Sequence, residues 1–345
     1  MMAVMLASAA SARVARRTVC AAAAAARRRR MHTWVVTNRT VLREGGGRAE
    51  ELFGDVPSAR GPSELRVAKA VHGASGHHLE LLPDRDANGE RASRFMAVDL
   101  LEQCSRNIVF FCHGYNNTLT DALGTCKRMR QLYDVEPVLF SWPSNGGGET
   151  LLDDITGVAQ YLDDKQDARA SAGALSRALA RAARYVHALR RDDCARTVNA
   201  VFHSMGNYVL KYSLLPRRSG SAVRLFDNIV LTAADTNNVG HEQWMARLRF
   251  NSRLYVCLNE GDNALRASRF KTGDEQWARL GHWPNNLVAP EATYVNLSNV
   301  LGGQHSYHVD SGGSTQVEQL YRDMLNGRVV EHRLRFNPHH RYYHF

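Results

Sequence analysis

One serine joins two runs of opposite character in Val201-Phe202-His203-Ser204-Met205-Gly206-Asn207-Tyr208-Val209-Leu210. The apolar, β-branched run at 197–202 predicts a strand and the run at 205–215 a helix. A strand that turns into a helix around a serine is the local shape of a nucleophile elbow. The turn lifts the hydroxyl clear of the sheet, and the amide of the next residue, Met205, points at the same spot as an oxyanion donor. In the pattern G-x-S-x-G the second glycine is Gly206, but Phe202 stands where the first small residue belongs. Its ring must point away, shift the turn, or fill the pocket floor beneath Ser204 and so restrict the acyl group.

A serine hydroxyl is a weak nucleophile until an imidazole takes its proton, and a carboxylate must fix the imidazole tautomer and stabilise the cation that forms. Both residue types follow strand-like runs downstream. The run at 253–258 leads into Asn259-Glu260-Gly261-Asp262-Asn263, and the run at 293–297 into Gly302-Gly303-Gln304-His305-Ser306-Tyr307-His308. The order Ser204, Asp262, His305 is the Ser-Asp-His order of α/β-hydrolases. Asp235, in Ala233-Ala234-Asp235-Thr236, competes for the acid role, and His308 competes for the base role. Upstream, Ile108-Val109-Phe110-Phe111-Cys112 ends in His113-Gly114-Tyr115. There the glycine lets the backbone swing close to a bound acyl group, and the Tyr115 amide supplies a second oxyanion donor. His203 reads as a packing or hydrogen-bonding residue at a strand end. His77-His78, His339-His340 and His344 have no carboxylate or cysteine spaced to complete a metal site, and the mechanism requires neither metal nor organic cofactor.

Elements must carry these residues to one place. Strand-like runs at 32–37, 108–112, 137–141, 197–202, 227–233, 253–258 and 293–297 are interleaved with helical stretches at 96–103, 119–132, 163–191, 205–215 and 315–325. Alternating runs at 64–71 and 78–82 predict antiparallel edge strands. The interleaving predicts one α/β domain, a mostly parallel doubly wound sheet with helices on both faces and its site at the carboxyl ends of the strands. The segment 145–166, which follows Trp142-Pro143-Ser144, is the expected flexible rim, and no large apolar lid is evident.

The net charge of +10 over 345 residues is concentrated at the start, where residues 1–30 hold seven arginines and no acid, leaving about +3 on the remainder. That balance carries no nucleic-acid footprint. The Arg- and Ala-rich segment reads either as an organelle transit peptide or as an extension ahead of a start at Met31. Nothing is apolar over a length that spans a bilayer. Six scattered cysteines lack metal or redox spacing and imply a reducing, cytoplasmic setting. The expected organisation is a disordered extension at 1–30, a catalytic domain at 31–327 and a basic, His-rich tail at 328–345.

The blocks Thr37-Asn38-Arg39, Val109-Phe110-Phe111-Cys112-His113-Gly114-Tyr115-Asn116, Val138-Leu139-Phe140-Ser141-Trp142-Pro143-Ser144 and His203-Ser204-Met205-Gly206-Asn207 resemble, in order, those of the bacterial α/β-hydrolases known as a domain of unknown function, DUF900. Asp262-Asn263-Ala264-Leu265, Arg279-Leu280-Gly281 and His305-Ser306-Tyr307 extend the resemblance, which runs from Met31 to about Leu325. It implies an α/β-hydrolase fold with Ser204 as nucleophile, His305 as base and Asp262 as acid, and it implies no substrate. The function expected is hydrolysis of a small-molecule ester, thioester or amide through an acyl-enzyme. An acyltransferase would use the same triad, and a catalytically silent binding or scaffold protein would keep only the fold.

Overall fold

Continuous apolar runs such as Ile108 to Cys112 bury both faces of a strand, and such strands settle in the middle of a sheet that is covered on two sides. The computed structural model describes residues 32–74, 76–83, 90–144, 154–191, 196–214, 224–269 and 278–345. Residues 1–30 and the first part of the expected rim, 145–153, lie outside them.

The first part of the chain contains β1 (His32–Thr37), β2 (Arg39–Val41), β3 (Gly46–Gly47), α1 (Ala49–Leu52), β4 (Phe53–Pro57), β5 (Arg66–Gly73) and β6 (Gly76–Leu81). Then follow α2 (Glu90–Gln103), β7 (Asn107–Cys112), α3 (Leu119–Tyr133), β8 (Val135–Ser141), α4 (Asp154–Arg191), β9 (Val198–His203) and α5 (Gly206–Leu214). The last part holds β10 (Phe226–Thr232), α6 (His241–Met245), β11 (Asn251–Leu258), α7 (Asn263–Ser268), β12 (Ala292–Asn296), α8 (Thr315–Leu325), β13 (Arg335–Asn337) and β14 (Tyr342–His344).

Among the described residues twelve strands form one sheet in the order β13-β14-β12-β11-β10-β9-β7-β8-β1-β5-β6-β3, and β2 pairs with β4 separately. From β14 through β1 the neighbours are parallel. Antiparallel pairs occur at the edges, where β5 joins β1, β6 joins β5, β3 joins β6 and β13 joins β14. The chain steps from β7 to β8 on one side and returns to β9 on the other. The loops leaving β7 and β9 therefore diverge, which opens the crevice where doubly wound sheets bind ligands.

Period-two alternation divides the core. Phe110, Phe140, Phe202 and Phe226 pack beneath α2, α4 and α5, while Val109, Phe111, Leu139 and Val201 pack beneath α3 and α8. Phe202 is wholly buried, with its ring 6.2 Å from that of Phe110. Two caps fix helix starts: the Thr118 hydroxyl accepts from the Asp121 amide at α3, and the Ser314 hydroxyl accepts from the Val317 amide at α8.

Among the departures from the sequence reading, two concern the rim and the C-terminal segment. Helix α4 starts at Asp154 rather than at 163, so part of the expected rim is helical. The segment 328–345 is no loose tail: β14 pairs in parallel with β12 through Val295 and Tyr343, and β13 closes a hairpin on β14. Arg335-Phe336-Asn337 and Tyr342-Tyr343-His344 are aromatic, strand-forming triplets on either side of a turn whose Arg341 has φ +60°. Basic composition concealed them. The sheet thus continues past residue 327 with no break in the fold.

Candidate active site

The turn after β9 is held by its own backbone and by one side chain. Ser204 has φ +51°, a left-handed conformation that costs a non-glycine residue about 1–3 kcal/mol. Its amide donates to the Thr232 carbonyl on β10 at 3.1 Å, and its carbonyl accepts from the amides of Asn207 at 3.1 Å and Asp235 at 3.2 Å. Asn207 Nδ2 donates to the Phe202 carbonyl at 2.8 Å and the Ser204 carbonyl at 3.0 Å, stapling the turn from within. Among the described residues the Met205 amide makes no hydrogen bond, so the fold leaves that donor uncommitted.

Two glycines let the loop after β7 reach the elbow. A Cβ on Gly114 would lie 2.6 Å from Ser204 Cβ, and one on Gly206 would lie 2.7 Å from the carbonyl oxygens of Cys112 and His113. Between them His113 stacks on Trp142 at 5.3 Å, and the Trp142 indole donates to the His113 carbonyl at 2.9 Å. Burial, and secondarily the charge of Arg39, lowers the His113 pKa to about 3, so this imidazole is neutral.

Arg39 is the buried peg behind these loops. Its guanidinium donates to the Ser141 hydroxyl at 3.0 Å, to Asp55 at 2.8 Å, and at 3.4 Å to the carbonyls of Asn117 and Ser144. Burial pulls its pKa down to about 10 against the opposing charge of Asp55. The blocks at 37–39, 113–117 and 141–144 thus meet around one cation. The Asn116 amide donates to Asp164 at 3.4 Å and the Asn117 amide to the Ser144 hydroxyl at 3.3 Å, which fixes the loop that carries Tyr115.

Asp262 and His305 come from the ends of β11 and β12. Asp262 is fully buried as the N-cap of α7, where Oδ1 accepts from the Leu265 amide at 3.0 Å. Its other oxygen, Oδ2, lies 2.8 Å from His305 Nδ1. His305 is about a quarter exposed and faces a cavity of about 350 Å³ that Ser204, Tyr115, Tyr161 and Asp235 also line. The Ser204 hydroxyl opens onto the same cavity and forms no hydrogen bond among the described residues.

Asp235 is engaged elsewhere. Its Oδ1 accepts from the Ser268 hydroxyl at 2.7 Å and lies 3.1 Å from Arg279 Nε, and its Oδ2 accepts from the Tyr161 hydroxyl at 2.9 Å. Burial, with the charge of Asp235, holds the Tyr161 phenol well above its ordinary pKa and therefore protonated. The structure brings Asp262 to His305 and pairs Asp235 with Arg279. His308 is not part of the cavity lining, being buried with its ring 5.6 Å from Phe111 and 4.4 Å from His203. Burial, then the neighbouring His305, lowers its pKa to about 3. His203 stands behind His305, its Nε2 3.3 Å from the His305 carbonyl. Phe202 does not floor the cavity, because alternation along β9 sends its ring into the core beneath α4 and α5.

Three positioning groups carried weak sequence signals. Asn259 Nδ2 donates to the carbonyls of Gly302 and Gln304, both at 3.0 Å, while its Oδ1 accepts from the Gly261 amide at 3.0 Å. One buried amide thereby joins the acid turn to the base loop. Tyr307 accepts from the Ala233 amide at 2.8 Å and donates to the Cys257 carbonyl at 2.9 Å, pinning the same loop to two strand ends. Asn259 and Tyr307 lie within the strand-end clusters quoted above, and Tyr161 lies within the segment 145–166 expected as the rim.

No helix among the described residues is long and apolar enough to cross a membrane. No curated protein matches the chain. The family model for an alpha/beta hydrolase of unknown function (DUF900) matches residues 90–317, which contain the elbow, the loop after β7, Asp262 and His305. With a doubly wound sheet and this crevice at its switch point, the chain belongs to the α/β-hydrolases of unknown function, DUF900.

Proposed function

We propose that this protein is a serine hydrolase that cleaves a small-molecule ester, thioester or amide through an acyl-enzyme. The Ser204 hydroxyl attacks the carbonyl carbon while His305 Nε2 takes its proton. Asp262 accepts from His305 Nδ1–H, holding the tautomer that leaves Nε2 free and stabilising the imidazolium. The Met205 and Tyr115 amides receive the charge that develops on the carbonyl oxygen. The tetrahedral adduct collapses by expelling the alcohol, thiol or amine, which takes the proton from His305. Water then attacks the acyl-enzyme with the same imidazole as base, and the acid is released with Ser204 restored.

The observation that carries this reading is the 2.8 Å contact between His305 Nδ1 and Asp262 Oδ2 beside a cavity that Ser204 also lines from a left-handed turn. Phe202, the residue that favoured a silent fold, packs away from that cavity and gives such a reading no support. A fluorophosphonate probe tests the proposal. Labelling of the full chain that disappears in both Ser204→Ala and His305→Ala is the expected result, and a folded protein that stays unlabelled would exclude it.

A further inference from the structure

The ion pair of Asp235 and Arg279 sits beside the nucleophile, and the mechanism does not use it. Both side chains are buried, at 3 % and 2 % exposure. Their placement is unequal: Asp235, Tyr161 and Ser268 all line the cavity, and Arg279 does not. Arg279 stands behind, donating to the Ser268 hydroxyl at 2.9 Å and to Asn237 Oδ1 at 3.0 Å. The pair therefore turns its anionic half toward the substrate and keeps its cation in the wall.

A carboxylate oxygen can accept about two hydrogen bonds. Asp235 Oδ1 accepts from the Ser268 hydroxyl and lies 3.1 Å from Arg279 Nε, whose single N–H goes to the Ser268 oxygen, and Oδ2 accepts from the Tyr161 hydroxyl. An acceptor position on Oδ2 remains, on a group that two hydrogen bonds and the ion pair with Arg279 hold against rotation. The Asp235 amide is bonded to the Ser204 carbonyl at 3.2 Å, so this carboxylate is anchored one hydrogen bond from the elbow. A donor on the substrate close to the reacting carbonyl would meet that acceptor, while a substrate carboxylate would meet like charge. The cavity, about 350 Å³, lies at the small end of ligand sites.

We propose that Asp235 is a specificity residue and that the substrate is a small ester, thioester or amide bearing a hydroxyl or ammonium group near its carbonyl. The substrate class rests on the serine-hydrolase reading, but the recognition it requires can be read without turnover. The Ser204→Ala protein is titrated by NMR with methyl butyrate, methyl 3-hydroxybutyrate and monomethyl succinate, which differ little in size. The hydroxy ester is expected to bind about tenfold more tightly than methyl butyrate, the worth of one hydrogen bond to a charged acceptor, and the succinate most weakly. Adding Asp235→Asn with Arg279→Gln, which removes both charges and strands neither, is expected to bring the hydroxy and plain esters within twofold. Affinities within twofold in the Ser204→Ala protein itself, or tightest binding of the succinate, would overturn the proposal even if the double substitution does not fold. Failure of probe labelling would instead strike the triad and leave the ranking of these ligands readable.

Discussion

Asp262 commits its two oxygens to different tasks, one to the helix cap and one to His305. An asparagine in its place can satisfy the cap or the imidazole but presents an amide where a carboxylate should stabilise the imidazolium. Asp262→Asn is therefore expected to lower kcat/KM by about 10⁴. Asp235→Asn acts through a different channel, because it removes the charge that a buried ion pair sets 3.1 Å from Arg279 Nε, and stability is expected to fall. Its signature is a lower urea midpoint and a raised KM with kcat less affected. Steady-state turnover of a small ester by the two variants, with urea unfolding of each, separates these outcomes. A larger fall in kcat for Asp235→Asn would reassign the acid.

At the scale of elements, the site depends on loops that are fastened to one another rather than on the strands alone. The acid turn after β11 and the base loop after β12 meet through Asn259. Asn259→Ala removes two donors to the base loop, and Asn259→Asp turns an acceptor toward the same two carbonyls. Both are expected to lower kcat by about 10² through misplacement of His305 with little change in KM, since neither touches the cavity lining. The rate of fluorophosphonate labelling should fall in parallel. A change confined to KM, or to the unfolding midpoint alone, would show Asn259 to be a structural clasp without a part in orienting the base.

For the whole molecule, neutral buried imidazoles make stability depend on pH. His113 and His308 both have pKa values near 3 in the fold, against about 6.5 in an unfolded chain. Between those limits the unfolded state binds protons that the folded state refuses, so stability is intact above pH 6.5 and is lost as pH falls. Each histidine contributes at most about 1.4 kcal/mol per pH unit. Among the described residues His308 makes no hydrogen bond through either ring nitrogen, so His308→Phe keeps a ring against Phe111 and discards the titrating group. Its loss of unfolding free energy from pH 7 to pH 5 is expected to be smaller than wild type by about 2 kcal/mol, measured by urea titration. An equal loss would mean that His308 takes up its proton within the fold.

Local pattern determined a good deal of this protein. Apolar runs such as 108–112 and 253–258 marked the central strands, because a strand buried on both faces must be apolar throughout. The strand-to-helix switch at Ser204 and the glycines at Gly114 and Gly206 marked the elbow, because close backbone approach excludes a Cβ. Composition misled at 328–345, where histidine and arginine content hid a hairpin whose aromatic side chains complete the sheet edge. Between the two aspartates at neighbouring strand ends, residue order and the family resemblance favoured Asp262 and kept Asp235 as the alternative, since both carry the same chemistry. What tertiary packing decided is their surroundings, setting Arg279, Ser268 and Tyr161 around one and His305 beside the other. The direction of the Phe202 ring was likewise a tertiary matter, fixed by the register of β9 between β7 and β10, because that register sets which face each side chain meets.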